Sequence, residues 1–132
     1  MSALIFVGAC ATEQAPTRAK NYADVVVERV RQAQAETRFM LRLNPSACEC
    51  PPFEVKLGET WQRAEVLAAD AEEPVVAALD TLMTARVEGR DRRVFAIEGR
   101  IEDTVFRCGR GGLYVSLVPT ALVTAPTGST TP

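Results

Sequence analysis

Few side chains in this chain are reactive, and their types restrict the chemistry open to it. No histidine occurs among the 132 residues. That excludes Ser-His-Asp and Cys-His catalysis, histidine metal ligation and a histidine pH switch. Four cysteines are present: Cys10, Cys48, Cys50 and Cys108. Cys48 and Cys50 are two apart, so in an extended segment both point the same way. Either can bridge to Cys108 if the protein reaches an oxidising compartment. A Cys50–Cys108 bridge spans 58 residues of separation and is worth about 4 kcal/mol on the chain-entropy account. Two other fates stay open for these sulfurs, inert buried thiols or soft thiolate ligands to copper(I) or zinc. A structural zinc site needs a fourth ligand, which neither histidine nor a second close cysteine pair supplies. No cofactor and no metal are expected.

Carboxylates and arginines offer the other candidate chemistry. Asp70, Glu72, Glu73 and Asp80 could furnish two carboxylates for a hydrolase. The first three read more simply as the acidic start of a helix and Asp80 as part of its polar face, so no enzymatic activity is expected. Gly109-Arg110-Gly111-Gly112 lacks the Gly-Lys-Ser/Thr ending and following helix of a phosphate loop, and reads as a hairpin turn. Trp61, Arg92, Arg93, Arg100, Phe106, Arg107, Arg110 and Tyr114 form a candidate binding surface, aromatic and cationic, of the kind that takes single-stranded nucleic acid. Five acids interrupt the seven arginines between residues 86 and 132, and the whole chain carries a net charge of −2. Both facts argue against nucleic acid and for solvated charges at turns. With 47% hydrophobic and 24% charged residues, wholesale disorder is excluded.

The amino terminus speaks to address. Residues 3–9 are an apolar run ending Val7-Gly8-Ala9-Cys10. Seven residues cannot span a bilayer as a helix but meet the lower limit of a secretory signal's hydrophobic region. The ending resembles the lipobox of bacterial lipoproteins, an aliphatic residue and two small residues before the cysteine that receives lipid. It departs from that pattern in having no Lys or Arg before a short apolar run, which a translation start lying upstream would explain. The other reading is a buried strand that ends in cysteine. The resemblance implies lipidation at Cys10 and a membrane partner through the anchor. With Ala11 after the cysteine, it further implies an outer-membrane address facing the periplasm. Residues 10–20, polar and holding Pro16, read as a tether.

The elements that must position these residues follow from patterning. Residues 21–44 read as an amino-terminal helix, with Tyr22, Val26, Val30, Ala33, Thr37 and Met40 on one stripe. Asn21 reads as its cap, Asp24 as a first-turn acid, and Asn44-Pro45 as its stop. Residues 45–123 read as a small β-rich domain with one inserted helix. Phe53, Val55 and Leu57 alternate in a strand, Gly58-Glu59 turns it, and a return strand carries Trp61, Ala64 and Val66, its slip after Trp61 suggesting a bulge. Pro74 opens a helix whose stripe is Val75, Val76, Leu79, Leu82 and Met83. Val94 to Cys108 reads as a long strand or strand pair, and Leu113, Val115 and Leu117 as a closing strand that Pro119 ends or puts at an edge. Residues 124–132 read as a disordered tail.

Hairpin, helix and closing pair resemble in their order the OB-fold, a five-stranded Greek-key barrel, with Gly99 where a curved strand needs a residue without a side chain. The expected fold class is thus β-rich α+β, an OB-like small β-barrel or a curved antiparallel sheet with two helices, one of them amino-terminal. The expected function is that of a non-catalytic, lipid-anchored envelope protein whose domain binds a small ligand or a protein partner or serves structurally. The alternative from a different class is a soluble cytoplasmic OB-type module for single-stranded nucleic acid.

Overall fold

The computed structural model describes residues 19–44, 49–87 and 94–123. Seven elements run in the order α1 (Ala19–Ala33), β1 (Arg38–Leu43), β2 (Phe53–Leu57), β3 (Thr60–Val66), α2 (Glu73–Val87), β4 (Val94–Cys108) and β5 (Gly112–Leu122). The strands close into a barrel in the order β1-β2-β3-β5-β4. All pairings are antiparallel except β3 with β5. This is a small OB-like β-barrel with two helices, one of them amino-terminal.

Alternation builds the core. Phe39, Leu41 and Leu43 of β1, Val55 and Leu57 of β2, Ala64 of β3, Phe95, Ile97 and Ile101 of β4, and Val115 and Leu117 of β5 are buried together. Closing a sheet on itself lets every strand bury one face without a second sheet. Helix α1 packs chiefly on β4, and α2 on β5 and β1. They add Val26, Val30 and Ala33 from α1, and Ala78 and Leu82 from α2. On the solvent side of α1, the Arg31 guanidinium beside Glu28 holds that carboxyl below the usual carboxylate range.

The largest correction concerns residues 21–44. The helix starts earlier than expected, at Ala19, and ends at Ala33, and residues 38–43 are a strand. Asn21 therefore lies inside the helix and Asp24 beyond its first turn. Thr37 is not helical, and Met40 is an outward-facing strand residue. Val26, Val30 and Ala33 do form the buried stripe. Past Ala33 the helical spacing coincides with a period-two pattern, Phe39-x-Leu41-x-Leu43. The strand reading wins because those three side chains close the seam between β2 and β4.

Three smaller corrections concern β3, α2 and β5. The β2–β3 register runs without a shift from Phe53↔Ala64 to Leu57↔Thr60, so there is no bulge after Trp61. The apparent slip is Gln62, which points inward, is buried, and donates from Nε2 to the Leu113 carbonyl at 2.9 Å. On α2 Val75 and Leu82 are buried as expected and Leu79 and Met83 pack partly buried against the core, while Ala78 joins the stripe and Val76 is exposed. Pro119 sits within β5, buried opposite Gly99. That pairing needs glycine, since a Cβ on Gly99 would collide with the Val118 carbonyl oxygen and approach Pro119 Cα to 2.8 Å. Register shifts at Glu98/Gly99 and between Ile101 and Val105 bend the long β4 around the barrel.

Candidate functional site

The site is built on the outer face of the barrel, where alternation directs the side chains that the core does not take. On β1 these are Arg38, Met40 and Arg42, on β2 Glu54 and Lys56, and on β3 Trp61, Arg63 and Glu65. Register aligns them in cross-strand rows. Arg42 lies opposite Glu54, Glu54 opposite Arg63, and Lys56 opposite Trp61. The parallel pairing Ala64↔Val115 brings Tyr114 beside Arg63, and Tyr114 lies opposite Phe106. One row thus crosses all five strands as Arg42, Glu54, Arg63, Tyr114 and Phe106.

Charge on this face is held in a fixed arrangement. Glu54 is 8% exposed and accepts from Arg42 Nε at 2.7 Å and from Asn44 Nδ2 at 2.9 Å. A carboxylate so covered needs these partners to offset its lost hydration. The same Arg42 guanidinium lies over the Trp61 ring, 4.1 Å from its centroid. Glu54 and Trp61 therefore immobilise a cation that is still partly open to solvent. Arg63 Nη1 donates to the Pro51 carbonyl at 3.3 Å, tying β3 to the segment before β2. Phe106 and Tyr114 stack with ring centroids 5.2 Å apart.

One end of this face is stapled by the Cys50–Cys108 disulfide, whose Cα atoms are 5.0 Å apart. The bridge joins the β1–β2 connection to the β4–β5 turn. It lies over Gly112, where an added Cβ would come within 2.9 Å of Cys50 Sγ and 3.2 Å of Cys108 Sγ. The turn itself uses Gly109 and Gly111 at φ 60° and 82°. Bonded to each other, Cys50 and Cys108 are not thiolate ligands, which removes two sulfurs from the three-thiolate metal reading. Cys10 and Cys48 lie outside the described residues.

The structure divides the surface expected from sequence. Trp61, Phe106 and Tyr114 share the outer face, with Trp61 two residues from Arg63 on β3. Arg100 stands six residues up β4 from Phe106 and pairs with Glu102 at 3.3 Å. Arg107 is exposed opposite Leu113, on the other face of β4 from Phe106, and Arg110 is at the tip of the turn. Arg92 and Arg93 lie outside the described residues. The cations that do adjoin the aromatics, Arg42, Lys56 and Arg63, were missed. The alternation of Arg38, Met40 and Arg42 with buried neighbours was the signal for Arg42, concealed by the helical reading. Asp70, Glu72, Glu73 and Asp80 are exposed at the start and on the polar face of α2.

Comparison with known proteins identifies no relative: no family model matches the chain, nor does any curated protein or any solved structure. Among the described residues no helix is long and apolar enough to cross a membrane.

Proposed function

We propose that the protein is exported and lipid-anchored through Cys10, and that its barrel is a non-catalytic binding domain of the cell envelope. The observation that carries this reading is the Cys50–Cys108 disulfide. Disulfides persist in the periplasm and outside the cell and are rare in the reducing cytoplasm, so the bridge agrees with the address that the lipobox-like Val7-Gly8-Ala9-Cys10 implies. Two or more acyl chains on Cys10 hold a protein firmly at a membrane, each buried methylene adding about 0.8 kcal/mol. Residues 11–18 then lie between the anchor and α1.

The bridge also joins the two loops that, in OB-folds generally, flank the binding face formed with the second and third strands. On that face the fixed Arg42 over Trp61, Arg63 and the Tyr114–Phe106 stack suit a ligand with a flat or apolar surface and negative charge. The same face supports a second reading, a single-stranded nucleic-acid module, since bases stack on aromatics beside cations. The bridge and the net charge of −2 weigh against it.

Detergent phase separation of cells expressing the full chain separates the two. The first reading expects the protein with membranes and in the detergent phase, and Cys10→Ser in the aqueous phase. A cytosolic protein that binds oligonucleotides with an affinity falling steeply with salt would replace the first reading by the second.

A further inference from the structure

A concave site lies at the opposite end of the same strands, away from the disulfide. The β1–β2 ladder consists of Leu43↔Phe53, Arg42↔Glu54 and Leu41↔Val55 and goes no further. Both strands continue, β1 back to Arg38 and β2 on to Leu57. Continued pairing would join Met40 to Lys56 and Phe39 to Leu57, and neither pair forms. A cleft of about 500 Å³ opens at this place, within the range of ligand sites. The carboxyl-terminal half of α1 forms one wall with Arg29 and Gln32, and the end of β2 and the β2–β3 turn form the other with Lys56 and Glu59. Ala33, Phe39 and Leu57 contribute to its lining and are themselves buried, so this is a groove over a filled core and not a packing defect.

We propose that this opened seam is a docking groove for an extended peptide segment of a partner protein, carrying at least one acidic side chain. Two features select a peptide. Strand edges that stop pairing present main-chain donors and acceptors at strand spacing, which an extended backbone matches and a sugar or nucleotide does not. Arg38, Phe39 and Met40, which pair with β4 but not with β2, leave about 10 Å of β1 edge open on the β2 side, enough for roughly three residues of added strand. Charge selects the side chains. Arg29, Arg38 and Lys56 face two carboxylates, Glu36 and Glu59, in the lining, and Arg38 is held only loosely, its Nε 3.9 Å from a Glu98 oxygen. The surplus is cationic in a chain whose net charge is negative. The inference does not depend on the lipid anchor.

The test is selection of a random linear heptapeptide display library on the full-length, oxidised protein. The expected outcome is enrichment of peptides with an acidic residue and no proline in the central positions, since proline cannot donate to a ladder. Titrating an enriched peptide into the isotopically labelled protein should shift the amides of Phe39, Met40, Lys56 and Leu57. The double variant Arg29→Glu/Lys56→Glu should bind at least tenfold more weakly. Should that variant fail to fold, the amide map on the unaltered protein decides alone. No enrichment above background overturns the proposal. So do shifts confined to the Trp61–Tyr114 region, a peptide whose all-proline centre binds equally well, or displacement by a single-stranded oligonucleotide.

Discussion

The disulfide, Gly112 and the Arg42–Trp61–Glu54 group make predictions at the scale of single residues. Replacing Cys50 and Cys108 together by Ala should lower the unfolding free energy by about 4 kcal/mol. Urea denaturation, run with and without reductant, reads this, and reductant should have no effect on the variant. Gly112→Ala inserts a methyl group between the turn and both sulfurs and should cost about 1–3 kcal/mol, as overpacking does. Arg42→Ala leaves Glu54 with Asn44 alone among its described partners and uncovers one face of Trp61. Because Arg42 is partly exposed, the loss should be about 1–2 kcal/mol, accompanied by a red shift of tryptophan emission. Sequence left a bridge from Cys108 to Cys48 or Cys50 as one fate of these sulfurs, beside inert buried thiols and soft metal ligands. It could not choose between two cysteines on one side of an extended segment. The structure makes that choice by bringing Cys50 and Cys108 together with their Cα atoms 5.0 Å apart across 58 residues of sequence.

At the scale of elements, β1 shows why one periodicity can hide another. Val30, Ala33, Thr37 and Met40 keep a helical spacing through Gln34-Ala35-Glu36, all residues compatible with a helix. Arg38 to Leu43 also alternates strictly, and local sequence does not rank the two. The ranking comes from closure: without β1 the edges of β2 and β4 stay open. The two readings predict opposite mutational results. In the strand, Phe39→Ala should destabilise by about 3–5 kcal/mol, whereas Met40→Ala, on the outer face, should stay within about 0.5 kcal/mol. A helical stripe through Met40 would reverse the order. Equilibrium denaturation of the two variants is enough to decide. Gln62 is the same lesson in a single position. An inward polar residue broke the alternation and read as a bulge, because its cross-strand acceptor on β5 is invisible from β3 alone.

At the scale of the whole molecule, the barrel was legible from the order hairpin, helix, closing strands, and from Gly99, whose missing side chain lets β4 and β5 approach at the bend. The outer face was only half legible. Its aromatics came from sequence, but its cations come from strands β1 to β3, which register brings alongside Tyr114 and Phe106. A face assembled from five strands has no local signature. The proposed address belongs to this scale too, since a lasting disulfide and the lipid proposed on Cys10 both fit a chain that leaves the cytoplasm. Intact-mass and amino-terminal peptide mass spectrometry of the protein purified from its own cells tests that address most directly. The account predicts a mature chain beginning at Cys10 with acyl chains on it. An unmodified terminus at Met1 or Ser2 would contradict it.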